Sequence, residues 1–188
     1  MMKRDVRIVL KPGVTRDAIG SVGSWHDWWL LSVGREDEKY IRDEWRTSDG
    51  ETFITYLEDP VVRLPYIVVR GPLAESVGQV IRESLQVWSI EEAEDLLAHA
   101  ESSSDKVNAI YFLALSSSEE NESVVSALER MSHDNDPRVR RAVVIGIGYL
   151  AWWPALRTLL ETIRSHDLDE GVRRDAGYVL ADLDLPDF

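Results

Sequence analysis

The chain has 188 residues, 44% of them apolar, a net charge of −13 and no cysteine. That length and apolar share suit one ordinary domain or two small ones with a real core, and they argue against disorder. Disulfide frameworks, thiol chemistry and cysteine-held metals are excluded, and a cytoplasmic setting is expected.

The opening run, MMKRDVRIVLKPG, is broken by Arg7 and is too short in apolar residues to read as a signal peptide. It alternates instead, placing Val6, Ile8 and Leu10 on one face of a strand. Residues 28–34 (WWLLSVG) form a nearly continuous apolar strand, with Trp28 and Trp29 expected in the core. Residues 40–59 read as a hairpin turning at Asp49-Gly50, and residues 64–71 as a further strand closed by Gly71-Pro72. No helix is expected before residue 72. Residues 73–88 predict an amphipathic helix with Leu73, Val77, Val80, Ile81, Leu85 and Trp88 on one face. The fold class expected for residues 1–88 is a small α+β domain, a mostly antiparallel sheet plus a helix. With almost no linker after Trp88, that helix is expected to run into the next one, and the domain to cap the C-terminal half.

Residues 89–188 predict helices throughout. A capping-box pattern at Ser89 and Glu92 opens a helix over 89–100, and a second is expected over 105–115. Helices follow over 121–132, 137–150, 154–165 and 170–183, with Asp136 as a cap and Pro137 and Pro154 at first helical positions. The uncharged run 142–156 is too short for a membrane span and contains Pro154, so it reads as a buried helix and a turn. Gly146 and Gly148 lie inside this helix, where small residues let helices approach closely.

An internal repeat organises this half. At an offset of 33 residues, His133-Asp134 falls on His166-Asp167, and Val139-Arg140-Arg141 falls on Val172-Arg173-Arg174. The phrases DNDPRVRRAVVIGIG and DLDEGVRRDAGYVLA resemble the short HEAT-like repeats also found in phycobilin lyase subunits. The resemblance implies an all-α HEAT-like solenoid of two to three helix pairs, over about 89–115, 121–150 and 154–183. It is nearly silent on activity. In such stacks the turn acids Asp134 and Asp167 and the helix arginines Arg140 and Arg173 are expected to bridge successive units, because a planar guanidinium bonds carboxylates and carbonyls two at a time. Asn108 stands where the first pair would need its arginine.

No catalytic constellation, metal site or cofactor is expected. Gly20, Gly23 and Gly34 fit no nucleotide fingerprint. Ser24, His26 and Asp27 make a poor triad. The acids Glu91, Glu92, Glu94, Asp95, Glu119, Glu120 and Glu122 sit at helix starts, where negative charge is favourable and solvated. Charge points to a partner instead. Residues 1–88 hold 14 acids and 12 bases, whereas residues 89–188 hold 20 acids and 9 bases. The acidic half repels nucleic acid and anionic membranes and attracts a basic protein. Trp152, Trp153, Arg141 and Arg174 are the expected contact residues, as tryptophan and arginine dominate interface hot spots. The function expected is non-enzymatic protein binding. Neutralisation of a basic protein, in the manner of an immunity protein or antitoxin, is one alternative; an accessory or lyase-like enzyme subunit is another.

Overall fold

A computed structural model of the chain describes residues 5–35, 40–150 and 153–184. The chain divides into two compact units, Met1–Ser89 and Ile90–Phe188.

The first unit is built on a five-stranded antiparallel sheet of order β1-β5-β4-β3-β2. Its strands are β1 (Val6–Val9), β2 (Trp29–Ser32), β3 (Ile41–Arg46), β4 (Phe53–Glu58) and β5 (Pro65–Arg70). The β3–β4 hairpin turns where the Asp-Gly pair predicts. Gly50 takes the positive φ of 78° that the turn requires, and its N–H donates to the Thr47 carbonyl at 2.9 Å. Alternation then sorts the side chains. Trp45, Ile54, Val69 and Val6 lie opposite one another across four strands and are all buried.

Two helices share that buried face. Ile19 and Val22 from helix α1 (Arg16–Trp25) and Ala74, Val77 and Ile81 from helix α2 (Ala74–Ser84) belong to one core with the inward strand residues. Each large aliphatic side chain buried there contributes roughly 2 kcal/mol.

Three expectations fail in this unit. Helix α1 forms where none was expected. Thr15 caps it, accepting from the Ala18 N–H at 3.3 Å, while Gly20 and Gly23 weaken its sequence signal. Helix α2 stops at Ser84, not Trp88. Leu85 turns extended, and residues 86–88 run beside β1, with the Lys11 N–H donating to the Gln86 carbonyl at 3.0 Å and the Trp88 N–H to the Val9 carbonyl at 2.9 Å. No helix therefore passes straight through the junction. Finally, Trp28, just before β2, is buried, but Trp29 is 62% exposed, because it opens an edge strand whose four residues are all exposed.

The second unit holds helices α3 (Ile90–Ala98), α4 (Ser103–Ser116), α5 (Glu122–Met131), α6 (Pro137–Tyr149), α7 (Pro154–His166) and α8 (Glu170–Leu183). α4 begins earlier than Asp105, because Ser102 and Asp105 form a reciprocal capping box. Asn121, Asp136 and Asp169 cap α5, α6 and α8 through their side chains. α3 packs on α4 and α7 on α8, while α4, α6 and α8 pack in series. The middle helix of that series is buried on most sides from Ala142 on, which explains the uncharged run that begins there. Gly146 faces α4, where an added Cβ would stand 3.3 Å from Ala114 and Ile110. Gly148 faces Val179 of α8.

Candidate protein-interaction surface

The turns of the helical unit carry a ladder of cations and aspartates. Arg140, near the start of α6, donates from Nε and Nη2 to the two carboxylate oxygens of Asp167 at 2.8 and 2.9 Å. Its Nη1 donates to the Asp134 and Asn135 carbonyls of its own turn. Side-chain exposure is 11% for Arg140 and 4% for Asp167, so the pair is shielded from solvent. Burial pushes the Asp167 carboxyl up, but the Arg140 guanidinium and the Asp169 N–H outweigh it and hold its pKa below the ordinary value. Arg173 repeats the inward half of the pattern, donating to the Asp167 carbonyl at 2.6 Å.

One rung was missed in the sequence. Lys106 of α4 donates to Asp134 at 2.6 Å, so a lysine two positions before Asn108 supplies the cation. That ammonium, with the Asp136 N–H, lowers the Asp134 pKa. The signal was present: Lys106 precedes Asp134 by 28 residues, and Arg140 precedes Asp167 by 27.

The expected contact residues divide. Trp153 is fully buried at the N-cap of α7, so it offers no surface to a partner, and that expectation is corrected. Its backbone N–H donates to the Leu150 carbonyl at 2.9 Å. Trp152 lies outside the described residues. Arg141 and Arg174 are more than half exposed and converge on one carboxylate, Asp175, at 2.5 and 3.7 Å. Asp175 was not singled out in the sequence.

The bases of this unit are largely engaged with its own acids. Lys106 meets Asp134, Arg138 meets Asp136, Arg140 meets Asp167, Arg141 meets Asp175 and Arg157 meets Asp184. Further acids of the unit stand where α3 meets the start of α5. The Ser123 hydroxyl at the start of α5 donates to the Glu94 carboxylate of α3. This brings Glu94 of α3 beside the start of α5, where Glu122 is exposed, just after the exposed Glu119 and Glu120 of the α4–α5 loop. Acids from two runs separated in sequence, Glu94 and Glu122, thus come near one another.

Two concavities lie elsewhere. In the first unit a cleft of about 840 Å³ separates α1 from β2 and β3. At its floor Arg16 pairs with the buried Asp43, donating from Nε at 2.8 Å, and also reaches the Gly34 carbonyl. The Gly34 N–H donates back to Asp43 at 2.9 Å. This clamp fastens α1 to the sheet, and it escaped the sequence reading because α1 did. Nearby, Ser24 donates to the Gly20 carbonyl and His26 packs against Trp28, an arrangement that does not wire Ser24, His26 and Asp27 together. In the second unit a groove of about 470 Å³ between α5 and α7 is lined by His133, His166, Leu159 and Ile163. Among the described residues no group of three or more metal-binding side chains converges.

Comparison with family models, with curated proteins and with solved structures found no match to this chain.

Proposed function

We propose that the protein is a non-enzymatic binding module whose C-terminal unit, a HEAT-like stack of helix pairs, presents its acidic end to a basic protein. The observation that supports this reading most is the convergence of the α3 and α5 acids in a unit whose bases are mostly paired internally. A negative field at one end steers a cationic partner and speeds its association, and repels phosphate backbones. The serial packing of α4, α6 and α8, with its ladder of Lys106, Asp134, Arg140 and Asp167, supports the repeat-stack reading. Such stacks keep their shape while their exposed surface varies. Neutralisation of a basic toxin-like protein is the version that the charge favours.

The test is capture from native lysate at low salt, with the immobilised full chain and mass spectrometry of what elutes as salt rises. Release of a basic protein at moderate salt is expected. Recovery of nucleic acid, or of proteins with no basic bias, would contradict the reading.

A further inference from the structure

Of the 11 glycines, only Gly50 follows an aspartate, and none follows an asparagine. An Asp-Gly step is where a main chain can rearrange without an enzyme. The glycine nitrogen attacks the aspartate Cγ. An N–Cγ bond forms, the Cγ–OH bond breaks, and the hydroxyl leaves with the amide proton as water. Water then opens the resulting five-membered imide at either carbonyl. Attack at Cγ restores aspartate. Attack at the α-carbonyl gives isoaspartate, whose main chain is longer by one methylene. Glycine favours the closure because it has no Cβ to crowd its nitrogen.

The β3–β4 turn holds both reacting groups. Asp49 is exposed, and one of its carboxylate oxygens accepts from the Thr47 hydroxyl and, at 3.0 Å, from the Glu51 N–H. These donors, the hydroxyl first, keep the carboxyl below its ordinary pKa and so ionised, whereas the closure needs the neutral acid. The Gly50 N–H, which the attack must give up, donates to the Thr47 carbonyl at 2.9 Å. Thr47 is itself fixed. It is 6% exposed, its N–H donates to the Thr52 carbonyl at 2.9 Å, and its hydroxyl also lies 3.1 Å from that oxygen. One buried residue thus holds the electrophile by its side chain and the nucleophile by its carbonyl.

We propose that Asp49-Gly50 is an isoaspartate-forming modification site that Thr47 keeps shut in the folded chain and that opens when the turn does. The product lengthens the loop between Thr47 and Thr52, the pair that closes the hairpin. The inference uses nothing of the helical unit and stands or falls apart from the reading of its acids.

The full chain is aged at mildly acidic pH, folded in buffer and unfolded in urea, and isoaspartate in the tryptic peptide 47–63 is resolved by chromatography and mass spectrometry. That peptide reports on Asp49 alone, because its other aspartate, Asp59, precedes Pro60, whose nitrogen has no hydrogen to give up. The unfolded chain should gain isoaspartate several-fold faster than the folded one. Thr47→Val, which removes the hydroxyl, should raise the folded rate several-fold. Thr47→Ser, which keeps the hydroxyl, should stay near the wild-type rate. Both substitutions disturb the same buried position, so the comparison separates the hydroxyl from any loss of stability. A folded chain that rearranges as fast as the unfolded one, a Thr47→Val rate no higher than wild type, or equal rates in Thr47→Ser and Thr47→Val would overturn the proposal.

Discussion

Arg140 shows how one side chain can serve two turns at once. It satisfies two carbonyls of its own turn and neutralises the buried carboxylate of the next. Removing it strands Asp167 without its cation, so Arg140→Ala should destabilise the helical unit by about 3 kcal/mol, read by chemical denaturation followed in far-UV circular dichroism. Arg138→Ala, which removes an exposed ion pair, should leave the melt unchanged. The same rungs set a pH dependence. Asp134 and Asp167 have folded pKa values below their unfolded ones, so the unfolded chain binds more protons as the solution is acidified. Stability should therefore hold above about pH 5 and fall as pH drops through the carboxylate range near 4 and below. Asp167→Asn should flatten that acid limb in melts taken across pH. This pairing was legible in the repeated Val-Arg-Arg phrase. The convergence of Arg141 and Arg174 on Asp175 was not, since it depends on how α6 and α8 face each other.

At the scale of elements, strong periodicity carried the reading and weak propensity misled it. The second-half helices were legible because caps, prolines and apolar stripes agree along α5 to α8. Helix α1 was hidden by its two glycines, and with it went the Arg16–Asp43 clamp. Gly20 is where this can be probed. An added Cβ meets nothing within 4 Å, so Gly20→Ala should stabilise the first unit by about 0.5–1 kcal/mol, measured by tryptophan fluorescence in urea. Gly71 should behave oppositely. Its φ is 131°, and an added Cβ would lie 2.4 Å from the Glu51 carbonyl oxygen, against rigid backbone. Gly71→Ala should cost about 2 kcal/mol or more in the same assay. The early end of α2 had a different cause. The stripe runs on to Trp88, but the open β1 edge takes residues 86–88 as its partner, and a local periodicity cannot report a distant edge.

For the whole molecule, charge was legible from composition and its placement was not. Counting acids gives the imbalance between the halves. Only the fold shows that Glu94 meets Ser123 at the start of α5, that Arg140 is buried upon Asp167, and that the more exposed Arg141 pairs with Asp175. Burial likewise removes Trp153 from the expected contact residues. The most direct measurement is salt-graded capture from native lysate, run side by side with the wild-type chain and with a variant carrying Glu91→Gln, Glu94→Gln, Glu119→Gln and Glu122→Gln. The variant should keep the wild-type melting temperature and retain the basic partner about tenfold less well. Undiminished retention by the variant would contradict an acidic docking surface.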